Sequence, residues 1–255
     1  MKYKICWVVL CKNEIDILPF VKQYWERLQC DVVVYDNGST DGSLEYLQSL
    51  PYVTVKHFDS DGQNDPLQKQ IKEQAFLQLK DQYDIIILSD MDEVFYFENA
   101  EKELDKMVKG NYDVMLLPLF SLCEDFKPQP QEDKLLHQLC HKFYKQRMNH
   151  TGGLDSYTKF SIFNTKNIQF ISMSVGQHFV NVIPTQNTMI GEDAFGLHID
   201  KGFGIDYYLN KRKKMGANLS QTNIKCGMAI EYLKSEEDSI KEYKEHQAKC
   251  FDINI

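Results

Sequence analysis

Two short acidic stretches carry the residues best suited to chemistry. In Asp90-Met91-Asp92-Glu93 two carboxylates stand one residue apart, just after the apolar residues 85–88. Where a strand gives way to a loop, such a pair can turn toward one ligand. Hard divalent cations such as Mg2+ and Mn2+ take oxygen ligands and bridge to phosphates, so the pair suits a metal–diphosphate clamp. The bland alternative is a solvated acidic turn, against which the preceding apolar strand weighs. The second stretch is Asp36-Asn37-Gly38-Ser39-Thr40-Asp41-Gly42-Ser43. Glycine lets a backbone approach a ligand, Asn and Asp tolerate turn conformations, and an Asp at a strand end can accept from a nucleobase N–H or a ribose hydroxyl. Asn-Gly and Asp-Gly are also ordinary loop punctuation, and Thr40 or Asp41 could merely cap a helix. The eight residues together exceed what a turn needs.

Both stretches need a scaffold, and the flanking patterns predict one. Residues 5–11 form a solid apolar run, as in a strand covered on both faces. A helix follows, with Asp16 able to cap, Pro19 in the first turn, and Leu18, Val21, Trp25 and Leu28 on one face. Strands are predicted over 32–35, 52–58, 85–88 and 114–119. Helices are predicted over 44–50, from 64 to about 83, and from an Asn99 cap to Gly110. This alternation calls for an α/β, doubly wound, mostly parallel sheet flanked by helices. Ligands of such sheets sit beyond the carboxyl ends of the strands, the edge where both acidic stretches fall. The second half is less regular. Residues 121–150 read as a long loop plus a helix, 159–163 and 168–172 as a strand pair, and 205–215 and 228–249 as helices, the first closed by Gly216.

Composition narrows the class. A chain of 255 residues makes one large domain, or one with a small appendage, and 43% hydrophobic residues exclude disorder as the main state. The net charge of -8 argues against a general nucleic-acid binder. The seven scattered cysteines, odd in number and without a CxxC pair, fit a reducing compartment rather than a zinc ribbon or a disulfide scaffold. The run 5–11 is too short for a membrane span and has no signal-peptide cleavage site, which predicts a cytoplasmic protein. Lys211-Arg212-Lys213-Lys214 is a concentrated basic run. It reads as a solvated helix face or as an attractor of anionic lipid or a phosphate-bearing acceptor, the latter making the protein peripheral to the inner face of the plasma membrane. Tyr207, Tyr208, Tyr232 and Tyr243 could offer sugar-stacking surface, but their helical spacing favours core packing.

With the alternating pattern, the two acidic loops resemble glycosyltransferase family 2, and three stretches resemble its small bacterial subgroup. Cys11-Lys12-Asn13-Glu14 with Leu18-Pro19-Phe20 is similar to the subgroup's opening KNE motif. The loop from Asp36 is similar to its DNGSTDG loop, and Asp90-Met91-Asp92-Glu93 to its DxDE segment. His198 and the stretch from Asp206 to Gly216 are similar to its ending, although Ile199 stands where an aromatic residue belongs. The resemblance covers residues 5 to about 216.

The resemblance implies a GT-A fold over residues 1–204, with a donor half (1–120), an acceptor half (121–204), and a helical C-terminal extension (205–255). It implies a metal-dependent, inverting transfer from a nucleotide sugar, a UDP-sugar, to a glycan hydroxyl in lipopolysaccharide or capsule synthesis. Asp36, Asn37, Gly38, Asp41 and Asp90 would bind the donor, and Asp90, Asp92 and His198 would hold Mn2+ or Mg2+. The base is Asp193, after Gly191-Glu192 and resembling the family's ED pair at a helix start, or Asp155. Lys159 and His178 fall where the subgroup carries acceptor-side residues. Two rival readings stand beside this one. Asp90-Met91-Asp92-Glu93-Val94 also resembles the DxDx(T/V) motif of haloacid-dehalogenase-like phosphatases, with Asp90 as nucleophile, though that family carries it on the first strand. A non-catalytic nucleotide-sugar binder is the other.

Overall fold

The computed structural model describes residues 1–145, 158–177 and 179–251. In chain order the elements are β1 (Ile5–Cys11), α1 (Leu18–Leu28), β2 (Asp31–Asp36), α2 (Ser43–Gln48), β3 (Val53–His57), α3 (Asp65–Leu79) and β4 (Ile85–Asp90). They continue with β5 (Glu93–Phe97), α4 (Ala100–Lys109), β6 (Val114–Leu122), α5 (Leu136–Leu139), β7 (Phe143–Lys145) and β8 (Thr158–Asn164). Last come β9 (Phe170–Met173), β10 (Val180–Ile183), β11 (Thr188–Ile190), β12 (Ala194–His198), α6 (Ile205–Ala217), α7 (Gln221–Cys226) and α8 (Glu236–Gln247). The chain divides into two compact units. The first comprises Met1–Asp59, Pro66–Pro118 and Thr158–Gly196, and the second Ser60–Asp65, Leu119–Tyr157 and Leu197–Ile255.

The main sheet runs β3-β2-β1-β4-β8-β6-β12-β5, with β7 and β11 also pairing β6. Its β3-β2-β1-β4 portion is parallel, as the β-α alternation demands. The sheet as a whole is mixed, because β8 lies antiparallel between β4 and β6. The expected pairing of 159–163 with 168–172 does not form. Ser161, Ile162, Phe163 and Asn164 are all buried, so β8 needs cover on both faces and sits inside the sheet. β9 alternates, with Ile171 and Met173 inward, and pairs with β10 as a separate antiparallel hairpin.

In the first unit, α3 and this hairpin cover one sheet face. Ala75, Phe76 and Leu79 pack with Ile171, Met173, Val180 and Val182 over Cys6, Val8, Ile86 and Leu88. Trp7 points to the other face and stacks on Phe95 at 5.3 Å. There α1 buries Leu18, Phe20, Val21, Tyr24, Trp25 and Leu28. The N-cap of α1 is Ile17, with no side-chain cap bond, rather than the expected Asp16; Pro19 does sit in the first turn. Asn99 caps α4 through Lys102 N–H, as its sequence predicts.

The second unit departs more from expectation. Residues 121–145 hold only the four-residue α5 and β7, which pairs antiparallel with the end of β6. α6 does not stop at Gly216 but runs on to Ala217. A Cβ at Gly216 would stand 2.6 Å from Tyr232 O, so close approach, not termination, calls for glycine there. The helix expected over 228–249 is broken, because Ser235 caps a new helix, α8, with Glu236, Glu237 and Asp238 in its first turn. Among the described residues, no helix is long and apolar enough to cross a membrane.

Candidate nucleotide-sugar site

The loops following β1 and β2 are stitched together. Cys11 and Asp36 are register partners at the carboxyl ends of these strands. Asp36 is 1% exposed and accepts from Ser39 N–H at 3.0 Å and Ser39 Oγ at 2.5 Å. Lys12 Nζ donates to the carbonyls of Asn37 at 2.5 Å and Gly38 at 2.9 Å. Asn13 N–H donates to Ser39 Oγ, while Asn13 Oδ1 accepts from Thr40 N–H at 2.7 Å. Glu14 N–H donates to Ser43 Oγ at 2.9 Å. Gly38 has φ +66°, a left-handed conformation that costs a side-chain-bearing residue energy.

Asp41 completes the stitching. Its Oδ2 accepts from Ile15 N–H at 3.1 Å, and its Oδ1 from Ser43 N–H and Oγ at 3.0 and 2.6 Å. Burial raises its pKa, but the hydrogen bonds from Ser43 and Ile15 outweigh that and hold the carboxyl below its usual value. Oδ1 thus clasps the start of α2, and Oδ2 ties this loop to the one after β1.

The turn after β4 is built differently. Leu10 is the register partner of Asp90, so Asp36 and Asp90 flank the end of β1 on opposite sides, about 10 Å apart at 4.8 Å per strand. Asp90 Oδ1 accepts from Lys72 Nζ at 2.8 Å. Lys72 is 5% exposed and also donates to Gln177 Oε1 at 3.1 Å, while Gln177 Nε2 donates to Leu88 O at 2.9 Å. A buried ammonium thus faces an aspartate whose side chain is 38% exposed. Asp92 is half-buried, and Glu93 begins β5, accepting weakly from Asp90 N–H. Trp7 Nε1 donates to Ser89 Oγ at 2.8 Å, tying the turn to β1. Lys72 is missing from the sequence-level candidates. The signal for it is a lysine inside the apolar face Ile71, Ala75, Phe76 and Leu79 of α3, where an unpaired charge would be costly.

Among the described residues, no group of three or more His, Cys, Asp and Glu side chains is placed to hold a metal ion. Mg2+ in nucleotide sites is held by one or two carboxylates together with substrate phosphates, not by an all-protein cage. The oxygen donors of Asp90 and Asp92 on one turn fit that mode.

Residues 6–169 match the family model described as glycosyl transferase family 2. The chain belongs to that family. The matched span contains all three loops just described. Among solved structures, a crystal structure of S. aureus TarS superposes with a TM-score of 0.48 and 13% identity, covering 90% of this chain and 43% of that one. This chain therefore spans less than half of TarS. A structure of TarS residues 1-349 gives 0.46 and 14%, covering 90% and 70%. A crystal structure of 4-diphosphocytidyl-2C-methyl-D-erythritol synthase gives 0.36 and 13%, covering 66% and 78%. No curated protein matches the sequence.

The remaining candidates lie on other segments. Asp193 precedes β12 and heads no helix, unlike an ED pair of family 2. Its carbonyl accepts from Glu98 N–H at 3.0 Å, just past the far end of β5 from Glu93. Five strand residues at about 3.3 Å each set it about 17 Å along the sheet from the Asp92 turn. Its carboxylate accepts from Lys102 Nζ at 2.7 Å, which lowers its pKa and weakens it as a base. His198 belongs to the second unit, where its Nδ1 lies 3.9 Å from Asp200 Oδ1. Lys159 lies in β8 in register with Leu117. Asp155 and His178 lie outside the described residues.

The basic run is broken as well. Lys213 and Lys214 are exposed, but Arg212 is 7% exposed and donates to Tyr208 Oη at 2.6 Å and to Glu231 O. Tyr208 and Tyr243 are buried together, rings 5.5 Å apart. The phosphatase reading is not met either, because the Asp90 turn follows the fourth strand and not the first.

Proposed function

We propose that this family 2 protein transfers a sugar from a nucleoside-diphosphate sugar, a UDP-sugar, to a hydroxyl of a glycan acceptor, with inversion. One observation carries the reading: the loops after β1, β2 and β4 lie side by side at the carboxyl edge of three adjacent parallel strands, with Asp36 and Asp90 flanking β1. A nucleoside diphosphate can bridge that span. Asp36, fixed by Ser39, is positioned to accept from the base or ribose. The stitched backbone around Asn37 and Gly38 forms the wall against which the nucleoside lies. Asp90 and Asp92 would hold Mg2+ or Mn2+. Such a cation, when bound, neutralises charge on a leaving diphosphate. Lys72 fixes the orientation of the Asp90 carboxylate. The acceptor hydroxyl gives its proton to a carboxylate base. Asp193, paired with Lys102, and Asp155 are the two candidates.

The test is a thermal-shift screen of nucleoside diphosphates with and without Mn2+, followed by donor turnover. A melting rise selective for UDP, larger with Mn2+, supports the reading, since a ligand bound only by the folded state stabilises by RT ln(1 + [L]/Kd). No rise with any nucleoside diphosphate would overturn it. UDP binding without turnover of any UDP-sugar across an acceptor panel would leave the binder reading standing.

A further inference from the structure

The second unit holds a pair of thiols that the transfer reaction does not use. Cys123 follows β6 and donates its N–H to Lys142 O at 3.0 Å. Cys250 follows α8, and its Sγ lies 3.4 Å from His246 O. Three contacts bracket the two cysteines and bring their segments side by side. Tyr243 Oη donates to Glu124 O at 2.8 Å, Gln247 Nε2 donates to Asp125 Oδ1, and the rings of Phe120 and Phe251 meet edge-on at 6.1 Å. Phe143 and Phe251 exchange backbone hydrogen bonds of 3.1 and 2.9 Å. Cys250 packs against the cluster formed by Cys123, Tyr208 and Tyr243.

The two sulfurs differ in their surroundings. The neighbouring Cys250, together with burial, pushes the Cys123 thiol up. The neighbouring Cys123 lowers the Cys250 thiol, burial opposing it. Cys250 is also partly exposed, whereas Cys123 is fully buried. Cys6, Cys11, Cys30 and Cys140 are buried with raised thiols, and Cys226 is exposed on α7. Thiolate character and access together mark a reactive cysteine, and Cys250 joins partial exposure to a neighbouring thiol in the same cluster.

We propose that Cys123 and Cys250 are a reversible redox modification site, closed to a disulfide by a small-molecule disulfide such as oxidised glutathione. The Cys250 thiolate, its proton lost to solvent, attacks one glutathione sulfur, forming a mixed disulfide and expelling one glutathione thiolate. Cys123 then gives up its proton to solvent and attacks Cys250 Sγ. The Cys123–Cys250 bond forms and the second glutathione thiolate leaves. The protein is oxidised by two electrons and loses two protons, and one glutathione disulfide is reduced to two thiols. The sulfurs must close to the covalent distance of about 2 Å, from side chains that already share one cluster. The bond clasps the end of α8 to the end of β6.

The full-length chain is incubated folded with oxidised glutathione, alkylated, digested without reductant and mapped by mass. The expected result is a peptide linking residues 123 and 250, with a melting temperature raised by about 5–10 °C, both reversed by reduced glutathione. Cys250→Ser should lose the link and the rise while melting normally when reduced. Recovery of both cysteines as alkylated thiols would overturn the proposal. So would a stable glutathione adduct on Cys250 without the cross-link, or a link from Cys250 to any other cysteine.

Discussion

The loop after β2 and the turn after β4 present aspartates at the same sheet edge, but hold them in opposite ways. Asp36 is buried, and both its oxygens accept from Ser39 within its own loop. Asp90 is more open, and one of its oxygens leans on a buried lysine from α3. The first arrangement spends carboxylate charge on shape. The second keeps charge at the surface and supplies its counterion from below. A loop of the first kind fixes a wall for a ligand, and a turn of the second kind can engage one.

This contrast can be broken by separating activity from stability. The largest effect is expected for Asp92→Ala, which should cut donor turnover by about 100-fold or more if a bound cation supplies several kcal/mol, with an unchanged melting temperature. Near-normal kcat/KM would remove the charge-bearing role from the turn. Asp36→Ala should instead lower stability by about 2–3 kcal/mol in urea unfolding, because it strands two donors of Ser39, and should weaken UDP binding alongside. If Asp36→Ala unfolds no more easily than the parent, the loop is not held by its own aspartate.

A smaller effect sharpens the same point. Asp41→Asn should cost about 0.5–1 kcal/mol at neutral pH, since the site is exposed and screened. The folded carboxyl is held below its usual 3.8, so its contribution is present above that value and lost as pH falls through the lower folded one. Parent and variant should therefore converge in urea titrations below about pH 4. A constant gap down to pH 2 would mean that the charge of Asp41 contributes nothing. The smallest effect is expected for Asp193→Asn, with turnover within about twofold of the parent, because an exposed ion pair contributes little. A hundredfold loss with UDP affinity intact would restore Asp193 as the base.

Local patterns that serve a single purpose were legible in the sequence. Residues 5–11 could only be a covered strand, and the Asn99 and Gly110 punctuation bounded α4 correctly. The placement of Asp36 and Asp90 at strand ends followed from the β-α alternation alone. Lys72 was hidden because its partner Asp90 lies 18 residues away and on a different element. An Asp-Gly pair reads alike as a clasp and as a ligand, and the bond of Asp41 to the backbone of Ile15, in another loop, leaves no trace in local sequence. β8 misled because its sequence neighbour in pattern, 168–172, is not its partner in space, and long-range pairing leaves little trace in local periodicity. Gly216 reads as a helix stop in the sequence, whereas the carbonyl of Tyr232 is what requires it.

The interior position of β8 also orders events during synthesis. Chains leave the ribosome N-terminus first, so β1 to β4 can pair while the remainder is still being made. Phe163 pairs with Ile86 on one side and Val114 on the other, and it packs edge-on against Phe76 at 5.6 Å. Until that residue emerges, β4 presents an open edge and β6 has no strand to join it to the parallel half. Such an edge is a template for pairing with other chains. The nascent protein thus passes through an interval of about seventy residues, from 90 to 164, in which the strand edge carrying Asp36 and Asp90 is formed but its sheet is unsealed. Delay within that interval is when self-association competes most directly with folding.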